Sequence, residues 1–162
     1  MKMPRPSRRA VATVLAAAAV LTVSPAVATA APAGSSGGSP QDRQAICWNW
    51  SANRGAAYTS GDKLSKYLKG KKPTWDGAAP LADAAARALR SESSQTSALI
   101  DRAAGTPDLQ GALRDYKTRL DTYASALTAD VHAQPPRSWK RTNPAGKAYN
   151  AAYQRVVAAC KA

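Results

Sequence analysis

Two cysteines and one histidine are all this chain offers for redox, soft-metal or histidine-based chemistry, so their positions decide a good deal. Cys47 and Cys160 lie more than a hundred residues apart, with no Cys-x-x-Cys pair and no histidine at ligand spacing. That spacing speaks against a redox or zinc site. His132 stands two residues before Gln134-Pro135-Pro136, and neither a Gly-x-Ser-x-Gly turn nor a catalytic-cysteine context accompanies it. A nucleophile triad has nothing to build on. The ten acids could in principle supply the paired carboxylates of glycoside hydrolysis, but they are scattered through amphipathic stretches and read mostly as solvated faces. Glycine-rich phosphate loops and clustered calcium ligands are missing from the sequence. No catalytic residue, metal ligand or cofactor is assigned.

The cations carry the most informative pattern, 23 Lys and Arg against 10 Asp and Glu. Lys63, Lys66, Lys69, Lys71 and Lys72 fall within ten residues beside Tyr67 and Trp75, and a second run reads Arg137-Ser138-Trp139-Lys140-Arg141, with Lys147 a turn further on. Cations next to tryptophan suit a polyanion: an anionic envelope polymer such as a wall teichoic acid, an acidic polysaccharide, an anionic lipid surface or, less well, nucleic acid. The candidate residues are Lys69, Lys71, Lys72, Trp75, Arg137, Trp139, Lys140 and Arg141, joined by Arg155 if its face agrees. A lysine-rich, solvated helix end is the ordinary alternative, and each tryptophan can equally plug the open end of a helical bundle.

Glu92 is the exception among the acids. It centres Ser91-Glu92-Ser93-Ser94-Gln95-Thr96-Ser97, a polar stretch where helical spacing calls for apolar residues. Pairing the chain's first and last helices through the cysteines, and folding the second back on the first, collects Asn53, Arg54, Tyr58, Glu92, Thr96, Tyr149 and Tyr153 into one polar layer at mid-bundle. Such a layer is ordinarily a satisfied network. Its alternative is a pocket for a haem held by a tyrosinate, or for a small lipid.

The elements that must position these groups are helices. Residues 1–30 carry Lys2, Arg5, Arg8 and Arg9 without an acid, then a 14-residue run from Ala10 to Val23 and an Ala-x-Ala site at Ala28 and Ala30. This is the pattern of a secretory signal peptide cleaved after Ala30, and the run is shorter than the roughly 20 residues of a spanning helix. Ser7-Arg8-Arg9 leaves both the general and the twin-arginine export routes open. The remaining 132 residues keep 19 basic and 10 acidic side chains, with only 14 Ile, Leu and Val but 28 Ala. Residues 31–39 form a flexible Gly/Ser-rich leader, and 40–162 a helical domain.

Ser39, Pro40 and Asp42 make a helix start, after which Ile46, Trp50, Asn53, Ala57, Leu64 and Leu68 recur on one face, with Gly61 a possible break. Leu81, Ala85, Leu89, Glu92, Thr96, Leu99 and Ala103 mark a second helix starting near Pro80. Leu109, Leu113, Tyr116, Leu120, Tyr123, Leu127 and Val131 form the most regular stripe. Asn143 and Pro144 start a fourth helix striped by Tyr149, Tyr153, Val156 and Cys160. The expectation is an all-α, up-down-up-down four-helix bundle with helices near 40–69, 78–104, 107–132 and 144–161, stapled by a Cys47 to Cys160 disulfide. An exported chain with an even cysteine count favours that bond. In the same topology both basic connections come to one pole.

The Ala-rich composition, the export leader and the two-cysteine frame resemble the small secreted helical proteins, mostly uncharacterised, of high-GC Gram-positive bacteria. The similarity runs loosely from Ile46 to Cys160 and contains no functional motif. The end-capping cysteines also look distantly like those of mycobacterial-type haem-binding exported helical proteins, from which length and histidine poverty separate this chain. The expectation is a secreted, non-enzymatic binding protein, with a haem or lipid carrier and an envelope-acting hydrolase as the competing classes.

Overall fold

The hydroxyl of Ser39 accepts the Asp42 N–H at 3.2 Å while the Asp42 carboxylate accepts the Ser39 N–H at 3.0 Å, a reciprocal cap that fixes where helix α1 (Pro40–Asn53) begins. The computed structural model describes residues 39–162. The expected signal peptide at 1–30 and leader positions 31–38 lie outside the described residues.

Arg54 interrupts the first helix, its N–H bonding three residues back to the Ser51 carbonyl at 3.4 Å, and α2 (Gly55–Leu68) resumes directly. The break therefore falls at Arg54 and not at Gly61, which sits inside α2. Thr74 caps α3 (Trp75–Arg102) through its hydroxyl, which accepts the Gly77 N–H at 3.1 Å. This start precedes the expected one near 78, places Trp75 in the helix and leaves Pro80 inside it. A short 3₁₀ turn (Ala103–Gly105) leads to α4 (Pro107–Val131). Thr106 precedes it but donates its hydroxyl to the Ala103 carbonyl at 3.1 Å, so its side chain does not cap α4.

Helix α5 (Thr142–Lys161) starts two residues before the expected 144. The reason is a carboxylate from another helix: Asp130 Oδ2 accepts the N–H groups of Arg141 at 2.9 Å and Thr142 at 2.8 Å. Those N–H groups have no partner inside α5, and a negative charge at a helix N-terminus is also favoured by the dipole.

All seven stripe residues of α4 are buried, and its four leucines are nearly or fully so. Each such leucine contributes roughly 1.5 to 3 kcal/mol of burial energy. Around them the packing is done by small residues: Ala78, Ala82, Ala86, Ala124 and Ala152 are fully buried. Without phenylalanine, close approach of helices replaces bulk, and α3 packs most extensively on α4 and then on α2, with α5 against α4.

Cys47 and Cys160 form a disulfide with Cα atoms 5.8 Å apart. Closing a loop of this length stabilises by roughly 4 to 5 kcal/mol in the chain-entropy model, a large share for a core this poor in aliphatics. Nearby, Arg43 donates to both Asp108 carboxylate oxygens, at 2.8 and 2.9 Å, and to the Ala159 carbonyl, joining the first turn of α1 to the first turn of α4 and the last turn of α5. Among the described residues there is no strand, and no helix is long and apolar enough to cross a membrane. The four expected helices are present, the first divided in two.

Candidate functional site

The two cation-bearing connections meet. Trp75, the first residue of α3, lies against Trp139, just ahead of α5, with ring centroids 4.9 Å apart, and Arg137 reaches to within 3.5 Å of Asp76. Each connection is also fixed locally. Tyr67 at the end of α2 accepts the Thr74 N–H at 3.1 Å and shares a hydrogen bond with the Thr74 hydroxyl, and Gly77 makes room for it, because a Cβ there would stand 1.9 Å from the phenol oxygen. Arg137 Nε donates to the Ala133 carbonyl at 3.0 Å, and the Asp130 cap holds the chain at Arg141.

What this framework presents is charge. Lys69, Lys71, Lys72, Lys140 and Arg141 are exposed and belong to no ion pair among the described residues. The acids around them are already engaged: Asp76 by Arg137, Asp130 by the start of α5, and Asp83 by His132 Nε2 at 3.0 Å. Trp75 is a correction. At 6% exposure it cannot meet a ligand with its ring, and it serves with half-buried Trp139 as the plug that clamps the connections together. Arg155 is another, since it pairs with Asp115 at 2.7 Å along the side of the bundle. Lys66 is held by Asp62 at 2.7 Å.

The mid-bundle layer is built around Tyr116. Its hydroxyl donates to Glu92 Oε1, accepts from Arg54 Nε at 3.3 Å and lies 3.3 Å from the Tyr149 hydroxyl. Arg54 Nε stands 3.7 Å from Glu92 Oε1, and its guanidinium carbon lies 4.0 Å from the Tyr153 ring centre and 5.2 Å from that of Trp50. The rings continue the contact: Trp50 with Tyr153 and Tyr116, then Tyr116 with Tyr149 and Tyr149 with Tyr123, each at 5.5 or 5.6 Å. Glu92 is 2% exposed. Burial pushes its carboxyl up to about 6, against the opposing pull of the Tyr116 hydrogen bond and the Arg54 charge. Burial likewise raises the Tyr116, Tyr123 and Tyr149 phenols, which keeps them protonated and works against a tyrosinate ligand.

Of the residues expected in this layer, the structure brings together Arg54, Glu92, Tyr149 and Tyr153. Thr96 is buried beside them, its hydroxyl turned back to the Glu92 carbonyl at 2.8 Å, and Asn53 is half-buried. Tyr58 is not part of it. It is 45% exposed, because Ala57 takes the inward position and the next residue points about 100° away. The residues that sequence reasoning missed are Tyr116, Trp50 and Tyr123. A signal existed for the first: a phenol between Leu113 and Leu120 in a fully apolar stripe must find a polar partner.

Chemically, the two buried carboxylates do different work, Glu92 binding the layer and Asp130 the start of α5. Among the described residues no three His, Cys, Asp or Glu side chains stand together as a metal site. No protein-family model, curated protein or solved structure matches the chain.

Proposed function

We propose that the protein is a secreted binding protein which engages an anionic polymer or surface through the basic pole closed by Trp75 and Trp139. One observation carries the reading: the tryptophan pair draws together two connections on which Lys69, Lys71, Lys72, Lys140 and Arg141 are exposed and belong to no ion pair among the described residues. Such a cluster repels itself in the free protein, and a polyanion relieves the repulsion while releasing its own counterions. Export is supported by the N-terminal pattern and by a disulfide of the kind that persists in oxidising compartments. The helices run up-down-up-down in this reading, supported by the disulfide and Arg43 at one set of helix ends and the tryptophan pair at the other.

The test is retention of the protein on cell-wall fractions, heparin and anionic liposomes under a salt gradient. Binding should weaken steeply with salt, and replacing Lys71, Lys72, Lys140 and Arg141 by Ala should remove most of the affinity and flatten the log–log salt slope by up to about four. All four side chains are exposed, so circular dichroism should be unchanged. A variant that binds as tightly as its parent sinks the proposal.

A further inference from the structure

The buried residues Ile46, Trp50, Ala57 and Leu64 keep helical spacing through the break at Arg54, so α1 and α2 also share a continuous outward face. Trp48 and Tyr58, 57% and 45% exposed, are the large hydrophobic residues that the described chain leaves open to solvent. With Ser51, Gly55, Asp62, Lys66 and Lys69 they fall within an arc of about 80° on a helical wheel. Lys66 pairs with Asp62 at 2.7 Å on this face, so their charges offset one another between Tyr58 and Lys69. Gly55 lies between the two rings, and a Cβ there would meet nothing within 4 Å. Nothing inside the protein requires a glycine at this point, and its absence of a side chain leaves an open floor. At 1.5 Å per residue the rings are about 15 Å apart along the axis, and the face reaches Lys69 and the basic pole after about 31 Å.

We infer that this face is a glycan-binding track: Trp48 and Tyr58 stack on uncharged sugar rings of a polymer whose anionic groups lie on Lys69, Lys71 and Lys72. The inference rests on the polyanion reading of the pole and narrows its ligand to an anionic glycan. The face of an indole or phenol ring is electronegative, and the apolar face of a sugar presents polarised C–H groups to it. Ser51 between the rings leaves hydroxyl partners for the ring edges. Charge and stacking are also segregated here. The stretch from Trp48 to Tyr58 has no outward cation, since its one arginine, Arg54, is turned in over Tyr153. A nucleic-acid strand brings a phosphate with every stacked base and would crowd the uncharged stretch with charge, whereas an alternating glycan brings a charge only with every second ring. Lipid insertion needs a broad apolar helix face, whereas the floor here is serine and glycine. Two separated rings are likewise far from the roughly 800 Å² per partner of a stable dimer.

The experiment compares the disulfide-intact protein with the double variant Trp48→Ala/Tyr58→Ala on two polyanions. One is hyaluronan, in which a neutral N-acetylhexosamine alternates with a uronate, and the other is inorganic polyphosphate, which has charge but no ring. The double variant should lose about tenfold or more in hyaluronan affinity, the scale of stacking contributions from aromatic side chains, and bind polyphosphate like its parent. Undiminished hyaluronan binding, or an equal loss on both polymers, overturns the track and leaves the pole standing. If the parent binds neither polymer, the pole reading fails and takes the track with it. A larger loss on poly(dT), on phosphatidylglycerol vesicles or in self-association by sedimentation would overturn the glycan in favour of that occupant.

Discussion

Arg54 and Arg137 each face one acid, yet they belong to regions of opposite character. Arg54 lies between Trp50 and Tyr153 and faces Glu92, a carboxylate with almost no access to water. Arg137 faces Asp76, whose side chain is 96% exposed. An ion pair with one partner in open water is worth about 0 to 1 kcal/mol, while removing one partner of a buried pair strands the other. The layer thus sets its one cation against its one carboxylate inside the protein, and the pole leaves most of its cations without an ion pair among the described residues. Residue type alone does not separate the two cases. What separates them is whether the chain supplies an acid and a dry place for it.

The sharpest way to break this contrast is to remove the layer's cation. Arg54→Ala should cost about 3 kcal/mol at pH 7.5 by urea denaturation, because Glu92 is left buried without its counter-charge. The loss should shrink below pH 6, where Glu92 takes up a proton. An equal loss at pH 5 and pH 7.5 would mean that only packing was removed.

Glu92 gives the second test, with the opposite sign to ordinary acid denaturation. Its carboxyl sits near 6 in the folded protein against 4.5 unperturbed. Below pH 4.5 it is protonated in both states, and above pH 6 it is ionised in both. Between these values the folded protein holds a proton that the unfolded chain has released. Stability should therefore fall as pH rises through 4.5 to 6, by on the order of 2 kcal/mol. Glu92→Gln should flatten this window. Asp42 and Asp108, held below the usual carboxylate range by hydrogen bonds from Ser39 and Arg43, titrate beneath it. A wild-type profile that rises through the window would reject the assignment.

At the pole the strongest structural acid is Asp130. Asp130→Ala should cost about 1 to 2 kcal/mol, since it removes the acceptor for two N–H groups at the start of α5, and Asp130→Asn should recover part of this. Amide exchange at Arg141 and Thr142 reports it directly. Uniform loss of protection across α5, in place of loss at its start, would show that Asp130 holds the whole helix.

These residues also show what the sequence could reveal. The stripe of α4 was legible because seven apolar or aromatic positions recur at one period, and the Ser39 cap because its partners are three residues away. The disulfide followed from the even cysteine count and the expectation of export. Local patterning misled at the first helix, where Gly61 has the propensity for a break but Arg54, tied to Tyr116 and Tyr153, has the tertiary contacts. The start of α5 was hidden for the same reason, as its cap comes from a helix that ends eleven residues earlier. Tyr116 looked apolar by position, and Tyr58 was one residue out of register. Alanine occurs throughout, so nothing in the sequence marks Ala78, Ala82 and Ala86 as the residues that let helices close together.

The smallest effect tests the comparison from its other side. Lys71 and Lys140 are exposed and have no acid partner among the described residues, so the folded state gains nothing from their charges and gathers them near others of the same sign. Replacing both with Gln keeps the polar stems and removes the charges. Stability should then stay level or rise by a few tenths of a kcal/mol at 20 mM salt, opposite in sign to Arg54→Ala and about a tenth of its size. The gain should vanish by about 0.5 M salt, where the screening length falls well below the roughly 10 Å of 0.1 M. Lys161, at the far end of α5, serves as the control, because its neutralisation removes a charge from the disulfide end and leaves the repulsion between the connections in place. If the Lys71/Lys140 double variant instead loses stability, and loses it equally at high salt, those side chains hold structure through their stems. The pole would then be a second internal network, and the contrast with the layer would collapse.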